Sequence, residues 1–419
     1  MKIIKNFADL AKTPGRSDAL TILEAGFRAI NTKEVIRKAV HLTDHHLVIQ
    51  GNNFNLAYYK RIFIVAIGKA GLDAAIALEE VLGDKIYRGV VLSNKTATFT
   101  RMQSFMMTHP LPSLSNTQAT EELVNMLKET KEDDLIIAVI SGGGSAMLCY
   151  PYALECQQGQ ELYEASIKYG INIYDLNLLR KHTSEVKGGG IAIAAYPATV
   201  VGLVFSDIPG DAAEIVASGP TYRDTTTIAD AQKVADKYSI KKLQMRETVK
   251  DDKYFKKVTN ILVASNILAL EGMQQKAKEL GYAADIWKAD VNDTAQHFAQ
   301  QFAAMGKKKS VVLAGGETVV HVDHPGRGGR NLNVALYSLP LLREGQIVIS
   351  AASDGRDNTD AVGAIADTIA RDKAKDLHLD ADKYLREGNS YIFFEELDDL
   401  IFTGVTGSNV SDIMLTLVE

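Results

Sequence analysis

The chain has 419 residues, 46% of them hydrophobic and 23% charged, with a formal net charge of −6. At roughly 100–200 residues per domain this length predicts two domains, or at most three. The acidic balance gives no reason to expect nucleic acid as a partner, so an anionic substrate would need local basic groups. The two cysteines, Cys149 and Cys156, exclude a disulfide framework and show no metal-site spacing. Lys5, Asp9 and Lys12 interrupt the opening segment, which therefore does not read as a signal peptide. No stretch reaches the ~18 apolar residues of a membrane helix. A cytoplasmic protein is expected, with no membrane partner, and a homo-oligomer is left open.

Residues 16–40 predict one or two helices, because Leu20, Leu23, Phe27 and Ile30 recur at helical spacing. A rhythm of buried strand, glycine loop and helix follows. Ile62–Ile67 runs into Gly68-Lys69-Ala70-Gly71 and a helix through Leu82. Further units are GVVLSN (89–94), DLIIAVISGGGSAML (134–148) and TVVGLVFSDIPGD (199–211). Continuous apolar strands alternating with helices predict a doubly wound, mostly parallel sheet covered on both faces. Ligands bind at the carboxyl ends of such strands. Residues 222–239 read as one helix, and the charged stretch that follows reads as surface near a domain boundary. A second series then begins, with strands at 261–266, AADIWK, 310–317, 346–355 and 390–396. The expected division is an N-terminal α/β domain over 1–245 and a smaller α/β domain over 246–419, with the active site in the cleft between them.

Several loops carry candidate chemistry. Ser141-Gly142-Gly143-Gly144-Ser145 follows a strand and opens a helix, where free N–H groups favour an anion. It is neither a Walker A loop nor a dinucleotide fingerprint. Gly68 and Lys69 put a point charge at another strand end. Asn177, Arg180, Ser184 and Lys187 share one face of a predicted helix, with two cations on it. A solvated face is the plainer reading. His182 is assigned no role. Asp207 is a carboxylate able to orient Mg²⁺ or accept a hydroxyl proton, and Asp211 reads as a helix cap.

In the second half, Gly316, Glu317 and Thr318 end a strand, and a glycine-rich lead brings Arg330 and Asn331 to a helix start. The Arg330 fork suits carboxylate or phosphate. His321, Asp323 and His324 resemble a metal cluster, but alternation along a strand would point them to different faces. Asp354 and Asp357 belong to an acid-rich loop that needs cations or water. Either would fit opposite Arg330.

The blocks GKAG, HPLPS, SGGGSAM, LNLLRKHTSEVKGG, SDIPGDAAEIVASGPT, SNILALEG, GGETVV, GGRN, SDGRDNTDAVGA and TGVTGSNVSD resemble, in that order, glycerate 2-kinases of the GckA/TtuD type, which carry a C-terminal MOFRL domain. The resemblance runs from about residue 16 to the end. It implies ATP- and Mg²⁺-dependent phosphorylation of D-glycerate to 2-phosphoglycerate. Catalytic roles are implied for Lys69, Asp207, Arg330 and Asp354, and ligand contacts for the glycine loops and for Asn266 in SNILALEG. The MOFRL region would cover about 310–419. Gly190 stands where the family usually has arginine, Ser113 where an acid is frequent, Leu332-Asn333 where Gln-Glu is common, and Arg356 and Asn358 where Ile and Gly are usual. These departures bear on the acceptor rather than the reaction. Alternative readings are a kinase for another short sugar acid, a hydroxypyruvate reductase, and a non-catalytic binding protein.

Overall fold

The computed structural model describes residues 2–150, 152–208, 210, 212–320 and 326–419. Asp211 and the triad His321, Asp323 and His324 lie outside the described residues. The chain forms two compact units: Met1–Asn31 with Asp207–Asp211 and Ala264–Glu419, and Thr32–Ser206 with Ala212–Val263.

The second of these is built on a six-stranded sheet. Its spatial order is Met102–Met106, Ile86–Ser93, Arg61–Ile67, Asp134–Ser141, Thr199–Phe205, Val258–Ala264. The four pairings among the first five strands are parallel. Counted along the chain the order is 3-2-1-4-5-6, a doubly wound sheet whose order reverses between Arg61–Ile67 and Asp134–Ser141. Both strands are apolar in their interiors, Ile62–Ile67 and Leu135–Ile140, because both faces are covered. Phe63, Val65 and Ile67 pack with Leu123, Leu127 and Ile191 of the helices Leu114–Lys128 and Gly190–Ala195. The helix Gly71–Leu82 also packs on the sheet, where Gly71 sits so close to Ala66 that an added Cβ would lie 3.2 Å from its carbonyl carbon.

The other unit carries a mixed six-stranded sheet, ordered Ala283–Val291, Ser310–Gly316, Asp412–Val418, Gln346–Ala352, Gly363–Asp367, Leu400–Ile401. Asp412–Val418 is antiparallel to both of its neighbours. The first long helix, Pro14–Ala29, packs along the helix Asn266–Glu279, with Gly26 against Met273 and Gly272 against Ala29. The early residues placed with the N-terminal domain from sequence thus fold with the later half of the chain.

Three sequence expectations change. Residues 390–396, expected as a strand, form the helix Ser390–Leu397, which buries Tyr391, Phe393, Phe394 and Leu397. A short continuous apolar run cannot separate strand from buried helix by periodicity. The helix expected over 222–239 is confined to Ile228–Lys237 by a Thr227–Asp230 capping box. The single helix face drawn through Asn177 and Lys187 does not exist, because the helix Ile173–Lys181 stops at His182 and the chain turns through Gly188 (φ +53°) and Gly189 (φ +92°).

Arg16 is fully buried and ties the first long helix to the mixed sheet. It donates to Asp367 from Nε (2.6 Å) and Nη2 (2.8 Å), and to Asp399 from Nη1 (2.6 Å). Asp367 also caps the helix Thr368–Asp376. Removing the cation would strand two buried carboxylates, with only Lys12 (3.3 Å) left on Asp399. Breaking a buried pair costs about 3–5 kcal/mol, so Arg16→Ala should lower the urea midpoint by that equivalent. The triple variant R16M/D367N/D399N should recover much of the loss, and a wild-type midpoint for Arg16→Ala would count against this role.

Candidate functional site

In the parallel-sheet unit the switch point is stitched by one hydroxyl. Ser141 Oγ donates to the Ile67 carbonyl (2.9 Å) and accepts the Ala70 N–H (3.1 Å). The Lys69 N–H donates to the Gly142 carbonyl (2.9 Å). The two loops after adjacent strands are therefore one rigid ledge. Gly68 (φ +102°) admits no side chain, since a Cβ would fall 2.4 Å from Ser141 Oγ. Gly143 (φ +83°) brings backbone against the Lys69 stem and the His109 ring. Gly144 opens the short helix Gly144–Met147 and rests on Ala217.

Ser145 shares a hydrogen bond (2.8 Å) with Ser218, whose hydroxyl donates to Asn177 Oδ1 (2.6 Å). Asn177 in turn donates to the Ile173 carbonyl (2.9 Å). This chain fixes the loop to the helix Ile173–Lys181 and sets Arg180 beside it. Burial pulls the Arg180 guanidinium down to about 10. Among the described residues no carboxylate reaches ion-pair distance of Arg180 or Lys69.

Lys187 differs. It donates to the Leu148 carbonyl (2.7 Å) and is buried in an ion pair with Glu155, so its charge is already matched. His182 is fully buried between the Arg246 carbonyl and the Thr226 hydroxyl, a packed histidine. Position 190 is closed to any side chain, since a Cβ there would lie 2.0 Å from the Glu185 carbonyl oxygen.

Sequence reasoning gave His109 no role. The structure sets its ring on Gly143, where a Cβ would meet Cδ2 at 3.2 Å and Nε2 at 3.3 Å. More than a third of its surface is open, yet its partial burial, then the charges of Lys69 and Arg180, hold its pKa at about 4. Its motif, HPLPS, was visible. Its neighbours were not, because they come from three separate segments.

The mixed-sheet unit gathers charge of the other sign. Arg330 starts the helix Arg330–Ser338. It is held by Asp412 in a bidentate pair (Nε 2.5 Å, Nη2 3.1 Å), and Nη2 also reaches Glu317 (3.0 Å). Burial opposes its charge, but Asp412 and Glu317 outweigh that and raise its pKa. Glu317 and Asp412 are both pushed up, mainly by burial. Arg330 pulls each back, while Asp412 and Asp207 repel Glu317. Asp412 is the second residue that the sequence reading passed over. It ends the TGVTGSNVSD block and opens a strand 82 residues from Arg330, and no local spacing ties it to that arginine.

Asp357 does not face Arg330 as its partner. It accepts the N–H groups of Asn331 (3.2 Å) and Leu332 (2.9 Å) and the Asn331 side chain (3.2 Å), capping the helix that presents Arg330. Burial lifts it to about 7, against the pull of those donors. Asn331 also accepts from Ser350 (2.5 Å). Gly316 (φ +135°) closes on Val291, and Asn266 holds the Ala289 carbonyl (2.6 Å) beneath Gly315. Those two are framework. Asp354 accepts the Arg356 N–H (3.1 Å) and is partly open. Asp207 is tied through its carbonyl to Ser411 (2.6 Å) and through its carboxylate to Asn409 (3.4 Å). Glu317, Thr318, Arg330 and Asn333 line a cavity of about 680 Å³. Among the described residues no three His, Cys, Asp or Glu side chains converge as a metal cage. Mg²⁺ needs no such cage, because one or two carboxylates and substrate phosphates suffice, and Asp207 and Glu317 offer that donor set.

Two family models match the chain: one described as Domain of unknown function (DUF4147), over residues 18–251, and the MOFRL family, over 310–412. A D-glycerate 2-kinase of Thermotoga maritima is 34% identical over 85% of this chain and 91% of its own length. A glycerate 2-kinase of Pyrococcus horikoshii is 30% identical over 96% of this chain and 97% of its own. The crystal structure of a glycerate kinase from Thermotoga maritima superposes with a TM-score of 0.85 at 30% identity, covering 96% of this chain and 99% of that one. No described helix is long and apolar enough to cross a membrane. With a glycine-loop ledge at the switch point of one unit and the arginine of the GGRN motif clamped by acids in the other, the chain belongs to the glycerate 2-kinase family, in which a DUF4147 region precedes a MOFRL region.

Proposed function

We propose that this protein transfers the γ-phosphoryl group of ATP to the 2-hydroxyl of D-glycerate, giving 2-phosphoglycerate and ADP. The observation that carries the reading is Lys69, a cation with no ion-pair partner among the described residues, at the strand-order reversal next to the glycine ledge. The names borne by relatives aligned over nearly their whole length support it.

Phosphoryl transfer asks the protein mainly for positioning and charge stabilisation. Lys69 neutralises a phosphoryl oxygen. In the mixed-sheet unit Arg330, oriented by the Asp412 bidentate pair, presents its fork to phosphate oxygens. The acceptor oxygen bonds to phosphorus as the bridging P–O bond to ADP breaks, and the hydroxyl proton passes to a carboxylate. Asp354 is the better base, since its side chain accepts only a backbone N–H. Asp207, with Glu317 beside it, would hold Mg²⁺. The ion, when bound, offsets charge on the phosphate oxygens. Ser141, Gly142, Gly143, Gly144, Ser145, Asn177 and Thr318 shape the ligand surfaces. A reductase would need a nicotinamide site, and the dinucleotide fingerprint is missing from every strand–helix junction.

Incubation with MgATP and D-glycerate should release ADP and give the phosphorus NMR signal of 2-phosphoglycerate. A 3-phosphoglycerate signal would overturn the regiochemistry, and NADH oxidation with hydroxypyruvate in the absence of ATP would overturn the kinase. Lys69→Ala should lower kcat by about 10²–10³, the usual cost of one electrostatic stabiliser, with unchanged circular dichroism. Arg330→Lys should fall by a similar factor because a point charge cannot replace the fork. An unchanged rate would remove either residue from the mechanism.

A further inference from the structure

The parallel-sheet unit contains a seat for an anion that brings no metal with it. Arg180 is largely enclosed, lines a small cavity with Pro110, Ser145 and Cys149, and has no carboxylate partner among the described residues. Burying a guanidinium without a counter-charge is costly, and a small anion at the cavity mouth removes that cost. The His109 ring stands beside it on Gly143, with the Lys69 stem against the same glycine. An imidazole kept neutral there donates or accepts one hydrogen bond without adding a third positive charge. Among the described residues the one acid lining the cavity, Glu155, is already closed by Lys187 and the Tyr150 N–H, which leaves no free carboxylate among them to ligate Mg²⁺.

The mixed-sheet unit has the opposite character. Asp207, Glu317 and Asp412 supply acidic oxygens, and its cavity of about 680 Å³ falls in the size range of ligand pockets. A magnesium–polyphosphate complex brings a hard cation that seeks such oxygens. A bare carboxylate seeks a guanidinium.

Building on the kinase reading above, we propose that Arg180 and His109 hold the hydroxy acid itself. Arg180 takes its carboxylate and His109 hydrogen-bonds its α-hydroxyl, leaving the nucleotide to the acid-rich unit. His109 is then a specificity-determining residue, selecting a carboxylate with a hydroxyl on the next carbon.

Binding measured by calorimetry on the full chain, without turnover, tests this. D-glycerate, MgADP and inorganic phosphate are titrated into the wild type and into Arg180→Gln, Arg180→Lys and His109→Asn. Losing a charge-assisted hydrogen bond costs about 1.5–3 kcal/mol and losing a neutral one about 0.5–1.5 kcal/mol, so D-glycerate affinity should fall at least about tenfold in Arg180→Gln and about two- to tenfold in His109→Asn, with MgADP unchanged. Arg180→Lys keeps charge and bulk and guards against misfolding. It should bind D-glycerate at an intermediate strength. Loss of MgADP or phosphate affinity, with D-glycerate unaffected, would assign the seat to the nucleotide and overturn the proposal. A wild type that binds D-glycerate through these residues yet never consumes ATP would leave the seat standing and sink the kinase reading instead.

Discussion

The parallel register between Arg61–Ile67 and Asp134–Ser141 is the constraint from which the candidate site follows. Arg61 pairs with Asp134 at one end and Ile67 with Ile140 at the other. At the entry, Arg61 grips Asp134 in a bidentate pair, Nε at 2.9 Å and Nη2 at 2.6 Å. At the exit, the Ser141 hydroxyl bonds the Ile67 carbonyl and the Ala70 N–H of the neighbouring strand and its loop. A slip of one residue would turn every side chain to the opposite face and would separate Gly68 from Ser141. Held in register, two loops that are 71 residues apart in sequence (Ala70 to Ser141) become one surface.

The mixed-sheet unit solves a different problem, which is to keep one arginine aimed while crowding carboxylates around it. Asp412 lies at the first position of a central strand, buried and fixed by neighbours on either side. A carboxylate so held cannot follow a wandering guanidinium, so the guanidinium is fixed to it. Asp357 fixes the other end by capping the helix on which Arg330 rides. The carboxylates repel one another and are raised together. Acids gathered without a matching number of cations gain by taking up a metal ion or a cationic partner.

Much of the fold was legible because its strongest signals are local. The runs at 62–67 and 135–140 are apolar at every position and lead into glycine loops, which only a doubly covered parallel strand explains economically. The motif glycines and Lys69 fell where that reading put them. What failed did so for stated reasons. Tyr391-Ile392-Phe393-Phe394 has no alternation and no clear helical gap, so its helix was hidden. Lys187 looked like a ligand until Glu155, on another helix, matched its charge. His109 and Asp412 act through partners that are distant in sequence. Their meaning arises only when strand order and sheet pairing bring those partners together.

The make-up of the two units bears on the order of events during synthesis. The helix Pro14–Ala29 is made before the parallel-sheet unit, yet it packs on Asn266–Glu279 and on Asp412–Val418, which are made after it. The whole parallel-sheet unit is made in between. That unit can therefore complete its core while the early helix, with Leu20, Leu23 and Phe27 buried in the finished molecule, still waits with its apolar stripe exposed. Unpaired apolar surface of this kind is what chaperones recognise and what aggregates form from. The nascent chain would be most vulnerable through this one helix, during the interval in which residues 32–263 are already folded.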